Sequence, residues 1–100
     1  MIYCFDLDGT ICTNTNGLYE NAEPFYERIK IINNLFEEGN KIIINTARGY
    51  TTGIDWTELT IKQLKDWNLN YHELYVGKKI NADLYVDDKG ITDKDFFKKY

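Results

Sequence analysis

Ile2-Tyr3-Cys4-Phe5-Asp6-Leu7-Asp8-Gly9-Thr10 is the stretch on which the reading of this chain turns. The apolar run Ile2 to Phe5 has the length and character of a buried strand. Asp6 and Asp8 stand two residues apart where that strand ends. Alternation along an extended backbone aims both carboxylates to the same side. Two anions so placed repel each other, and they persist together only with a cation between them or with a shared proton. Gly9 permits a sharp turn just beyond. The stretch therefore predicts a strand-end pocket that takes a metal ion and offers a carboxylate as nucleophile or base.

Working outward, Ile11 to Glu23 is rich in Asn, Thr and Gly and reads as a loop or small hairpin. A helix is expected next, with Asn21 as its cap and Pro24 in its first turn. Ala22, Phe25, Ile29, Ile32 and Phe36 recur at three- and four-residue steps, one apolar stripe that Gly39 and Asn40 end. Lys41 to Asn45 is dense in β-branched residues and reads as a second strand covered on both faces. Thr46-Ala47-Arg48-Gly49 follows it. Asp55 to Glu58 resembles a capping box for a helix to about Trp67, with Ile61, Leu64 and Trp67 toward the core. Glu73 to Val76 and Ala82 to Val86 read as two further strands, the latter ended by Asp87 and Asp88. Thr92 and Asp95 cap a short last helix. The order β-α-β-α-β-β-α predicts a parallel sheet of about four strands with helices on both faces, a three-layer α/β domain spanning 1–100. In such sheets ligands bind beyond the carboxyl ends of the strands, and the polar clusters fall there.

Composition narrows the function classes. Hydrophobic residues make up 43% and charged ones 28%, an ordinary globular balance. The net charge of −4 argues against sequence-independent nucleic-acid or anionic-membrane binding, which needs a basic face. No apolar run approaches the roughly 20 residues of a membrane span. The start lacks the basic-then-apolar pattern of a secretory signal, so cytoplasm is the expected compartment. With two Cys and one His, a cysteine-based metal site is not expected. Cys4 reads as a buried structural thiol, and His72 as a surface or packing residue.

Three or four carboxylates around one point, with little His, describe a hard-cation site, and Mg²⁺ fits it best. Lys78 or Lys79, with the Thr46 hydroxyl and nearby backbone N–H groups, would complete a phosphate cradle. The reaction class expected from such a set is phosphoryl transfer with a carboxylate nucleophile.

At these residues the chain resembles the haloacid dehalogenase-like (HAD) phosphohydrolase superfamily. The family's DxDGT motif is matched by Asp6 to Thr10, its strand-ending Thr by Thr46, its Lys before the fourth strand by Lys78, and its acidic pair by Asp87 and Asp88. The resemblance implies that Asp6 attacks phosphorus to form an aspartyl-phosphate. Asp8 would protonate the leaving oxygen and then activate the hydrolytic water. Thr46, the N–H of Ala47 and Lys78 would hold the phosphate. The implied phosphate- and substrate-binding set is Asp6, Asp8, Gly9, Thr46, Ala47, Arg48 and Lys78. Mg²⁺ would be held by the Asp6 carboxylate, the Asp8 carbonyl and one of the last pair, Asp88 in preference, with Asp87 accepting from Lys78. Lys79 stands where short members often carry Pro and competes with Lys78 for the motif.

Neither family insertion point leaves room for a cap domain, so the resemblance is to the capless subclass, whose open site admits large substrates or is closed by a neighbouring subunit. The hairpin Cys12 to Tyr19 is the only lid expected. Small members of this type are associated with sugar and nucleotide-sugar phosphates in polysaccharide pathways. Arg48 is either a solvated loop residue or a contact for the leaving group. The alternatives are a polynucleotide-end phosphatase, which the acidic balance disfavours, and a phospho-receiver domain, whose Asp would follow the third strand where this chain has Gly77.

Overall fold

The structure is a computed structural model that describes residues 1–77, 84–86 and 93–99. Lys78, Lys79, Asp87 and Asp88, with the expected strand start at Ala82 and cap at Thr92, lie outside the described residues. The elements are β1 (Ile2–Asp6), α1 (Tyr26–Glu37), β2 (Lys41–Thr46), α2 (Thr57–Asp66), β3 (Glu73–Val76), β4 (Leu84–Val86) and α3 (Asp93–Lys99). A single 3₁₀ turn, Tyr19–Asn21, lies between β1 and α1.

The sheet runs β3-β2-β1-β4, and every neighbouring pair is parallel. β1 pairs in register Cys4↔Ile43 and Asp6↔Asn45 with β2, and Cys4↔Tyr85 with β4. The chain steps outward from β1 to β3 and then crosses back to the far side of β1. Strand order therefore reverses beside β1, which sets its carboxyl end at the crevice where parallel sheets bind ligands.

Tyr3 and Phe5 of β1 and Ile42 and Ile44 of β2 share one sheet face by alternation. Ile29, Ile32 and Leu35 of α1, Leu64 of α2 with Trp67 behind it, and Phe96 of α3 join the same buried cluster. Phe96 meets Phe5 edge-on at 5.4 Å and Tyr3 at 5.8 Å. Each such fully buried side chain contributes about 1.5–3 kcal/mol. Right-handed crossovers from β1 to β2 and from β2 to β3 put α1 and α2 on one face, and Phe96 brings α3 to it as well. This corrects the expectation of helices on both faces: among the described residues they form one layer. Cys4 and Ile43, on the opposite face, are buried too.

Other local expectations also change. The first helix begins at Tyr26, with Phe25 rather than Asn21 in the cap position. Tertiary pairing overrides the sequence signal there, because Cys12 and Pro24 form an antiparallel bridge. The Phe25 N–H donates to Ile11 O at 2.8 Å, and Thr13 N–H to Glu23 O at 2.9 Å. Pro24 lacks the N–H that a longer ladder would require. Segment 13–23 is thereby closed into a loop. Ile61 is 46% exposed instead of core-facing, and Thr60 and Gln63 are buried in its stead. Asp55 does serve α2, accepting the Thr57 N–H at 2.9 Å, but from one residue ahead of the cap. His72 packs as expected: its ring stacks on Phe36 at 4.5 Å and its Nδ1 accepts the Ile42 N–H at 3.0 Å.

Candidate active site

Beyond the carboxyl ends of β1 and β2 lies a cleft of about 480 Å³. Asp6, Asp8, Gly9 and Thr10 line it from the first strand end, and Thr46, Ala47 and Arg48 from the second. Asn14, Tyr19 and Thr51 complete the lining. Six residues expected from the sequence therefore line one cleft: Asp6, Asp8, Gly9, Thr46, Ala47 and Arg48. Both strand ends supply their residues from short loops on adjacent parallel strands, which is why separations of forty residues close to hydrogen-bond distance.

The turn after β1 is built on one carbonyl. Leu7 O accepts the N–H groups of Thr10, Ile11 and Cys12 at 3.1, 2.9 and 3.3 Å, and Gly9 adopts φ +86° inside the turn. Leu7 itself is buried in the core, so the chain on either side of Asp8 is fixed from below.

Asp8 is the centre of the polar network. Arg48 Nε donates to its Oδ2 at 2.9 Å and Nη2 to its Oδ1 at 2.8 Å, a two-pronged pair. The Arg48 Nη1 donates to Gln63 Oε1 at 2.6 Å and Thr60 Oγ1 at 3.2 Å, both on α2. The guanidinium lies 4.6 Å from the Tyr19 ring centre. Gln63 Nε2 in turn donates to Tyr19 O at 2.6 Å, tying α2 to the loop over the cleft. Thr46 Oγ1 donates to Asp8 Oδ2 at 3.4 Å and accepts the Arg48 N–H at 3.2 Å.

Arg48 is 2% exposed. That removes the solvated-loop reading, and it also corrects the leaving-group reading. Every nitrogen of the guanidinium is committed to Asp8, Thr60 or Gln63, so the side chain orients Asp8 rather than reaching toward a substrate. Thr60 and Gln63 were not anticipated. Their signal was present, since they fall on the stripe of Leu64 and Trp67, where a polar side chain needs a buried partner.

Cys12 lies beneath Asp8, its thiol donating to Asp8 Oδ1 at 3.5 Å. Burial foremost, then the Asp8 charge, push this thiol up to about 12, so it is protonated at neutral pH. Cys4 and Cys12 form no disulfide with each other. The remaining donors at the cleft are oxygens, the chemistry of a hard cation. Among the described residues no three His, Cys, Asp or Glu form a metal cluster. The acidic pair and the lysines expected at this site are outside those residues.

No family model matches the chain. No curated protein matches it. Among solved structures, the chain is similar to a crystal structure of a structural-genomics target from Vibrio cholerae, at 26% identity and a TM-score of 0.76. The likeness covers 97% of this chain and 88% of that one, so the two share a fold along nearly their whole lengths.

Proposed function

We propose that this chain is a capless, Mg²⁺-dependent phosphatase of the HAD type that hydrolyses a phosphate monoester through an aspartyl-phosphate on Asp6. One observation carries the reading. Asp6, Asp8 and Thr46, each expected from its motif, line one cleft at the reversal point of a parallel sheet. A carboxylate oxygen of Asp6 attacks phosphorus, and the bond from phosphorus to the leaving oxygen breaks. Asp8 gives the leaving oxygen its proton, and later takes one from the water that cleaves the acyl phosphate. Arg48 holds the Asp8 carboxylate in one orientation for the step that takes a proton from water, and for the acid step one Asp8 oxygen must leave Arg48 and carry a proton. Thr46 Oγ1 and the Ala47 N–H offer donors to the phosphoryl oxygens. The Asp6 carboxylate and the Asp8 carbonyl would hold Mg²⁺, together with an acid of the pair Asp87 and Asp88. The cation, when bound, supplies charge neutralisation on the phosphoryl group.

The test is phosphate release from small monoesters by the purified chain and by Asp6→Asn, with Mg²⁺ and with chelator. Turnover is expected to need Mg²⁺ and to fall by at least about 10³-fold in Asp6→Asn, because covalent and electrostatic contributions go together. Near-normal turnover in the variant would remove the mechanism.

A further inference from the structure

Segment 13–23 forms one wall of the cleft, through Asn14 and Tyr19. Its base is shut by the bridge of Cys12 with Pro24 and by Thr13, whose N–H donates to Glu23 O and whose Oγ1 accepts the Glu23 N–H at 3.0 Å. Its tip turns at Asn16 and Gly17, with φ of +53° and +97°, and the Leu18 N–H donates to Thr15 O at 3.2 Å. Two successive left-handed residues make the tight turn that Asn-Gly favours. Asn14 Oδ1 accepts the Asn16 N–H at 3.2 Å and fixes the approach to that turn. The loop thus has a shape of its own, yet its 3₁₀ turn Tyr19–Asn21 contains no buried residue. Its distance from Asp8 is set from outside the loop.

Gln63 of α2 sets it. This side chain is buried, and it reaches a residue forty-four positions away. Its Nε2 donates to Tyr19 O at 2.6 Å, and its Oε1 accepts Arg48 Nη1 at 2.6 Å. Tyr19 O also accepts the Ala22 N–H at 3.1 Å, so Gln63 holds the carbonyl on which the 3₁₀ turn closes. Arg48 in turn donates to both oxygens of Asp8. One amide therefore stands between the backbone of the loop and the pair that aims Asp8. A cationic donor at one end of an amide polarises it and strengthens the bond made at the other end. The Tyr19 ring follows the same register, 4.6 Å from the guanidinium and 5.0 Å from the Trp56 ring.

The residue type is diagnostic. Arg48 Nη1 has a second acceptor in Thr60, and the two bonds from Arg48 to Asp8 do not involve Gln63. An apolar side chain or an ionised Glu at position 63 would leave the guanidinium with those partners. Neither could donate to Tyr19 O, and Asn is one methylene short. The amide is needed for the loop, not for the arginine alone.

We infer that Gln63 is a positioning residue that sets the loop over the cleft in register with Asp8. The alcohol part of the ester is then seated against Asn14 and Tyr19, where Asp8 reaches its oxygen, while the phosphoryl group rests on Thr46 and Ala47. The inference rests on the phosphatase reading above and adds to it a residue that touches neither the substrate nor Asp8.

The experiment uses the full chain with Mg²⁺ and compares it with Gln63→Glu, which keeps an acceptor for Arg48 and loses the donor to Tyr19 O. It reads kcat/KM on phenyl phosphate, competitive inhibition by inorganic phosphate, and amide hydrogen exchange of segment 14–22 against that of β2. In Gln63→Glu, kcat/KM is expected to fall at least about tenfold, within the range that a displaced positioning group costs. Inhibition by inorganic phosphate, which has no alcohol part, should stay within about twofold of wild type. Exchange in 14–22 should rise at least about threefold, the scale of one lost hydrogen bond, with β2 unchanged. Gln63→Met, which loses both bonds at similar length, repeats the comparison if Gln63→Glu does not fold. Unchanged kcat/KM, unchanged loop exchange, or a weakening of inorganic phosphate equal to that of the ester overturns the inference and leaves the phosphatase reading intact. A wild-type chain that hydrolyses no monoester overturns both.

Discussion

Arg48 donates to four oxygen atoms at once and loses all of them in Arg48→Met, which keeps side-chain length but no donor. The variant leaves Asp8 charged beside an apolar chain, with Thr60 and Gln63 short of a partner. Removing one member of a buried pair costs about 3–5 kcal/mol. Asp8 keeps 17% side-chain exposure, so the lower end, about 3 kcal/mol, is expected by denaturant titration. Adding Asp8→Asn should recover part of the loss, because the stranded charge is gone. A cost below about 1 kcal/mol would show that the pair is not made in solution. In turnover, Arg48→Met should impair alkyl phosphates more than p-nitrophenyl phosphate, since only the former need a well-aimed acid. The meeting of Asp6, Asp8, Thr46 and Ala47 was legible, because each follows a recognisable strand. The direction of Arg48 was not, since a side chain two residues past a strand can turn outward or back beneath its neighbours. Only Thr60 and Gln63, polar residues on a core-facing stripe, hinted at the buried partner.

Helix and strand ends were legible where one residue dictates the backbone, and illegible where pairing far along the chain does. Gly39 ends α1 as expected, with its N–H on Phe36 O and the Asn40 N–H on Leu35 O, a left-handed closing turn at φ +92°. Asn68 ends α2 in the same way at φ +57°, a use of Asn that its sequence neighbours do not announce. The start of α1 went the other way: Pro24 is a good first-turn residue, but its bridge to Cys12 holds it extended. These ends separate two kinds of glycine cost. Gly39→Ala meets nothing within 4 Å and suffers only its positive φ, about 1–2 kcal/mol. Gly49→Ala suffers the same conformation and also drives a methyl into Ile54 O. It should therefore lose at least about 1 kcal/mol more than Gly39→Ala in denaturant titration, because segment 49–54 must part. Equal stabilities of the two variants would show that this loop does not close as described.

At the scale of the whole molecule, a single face of the sheet carries the described helices while its carboxyl edge carries the cleft. The order β3-β2-β1-β4 was legible only as a parallel α/β sheet; the helix layer was not, because the sequence marks which residues are buried but not on which side of the sheet a crossover passes. This arrangement makes β1 both the middle of the core and the support of Asp6, so the proposed ligation at Asp6 would be coupled to folding of the domain. A cation bound only by the folded chain adds stability of RT ln(1 + [L]/Kd), roughly 2.7 kcal/mol at a hundredfold excess over Kd. For a domain of this size each kcal/mol raises the melting midpoint by roughly 4–8 °C. Saturating Mg²⁺ should therefore raise the midpoint of the wild-type chain by something on the order of 10 °C. Asp6→Asn loses the charge of one proposed ligand and should show a much smaller rise, at equal ionic strength. That comparison reads binding without turnover, so it tests the metal reading apart from the choice of substrate. An equal rise in both chains would place the cation elsewhere, and no rise in the wild type would leave Asp6 and Asp8 without the cation that their spacing calls for.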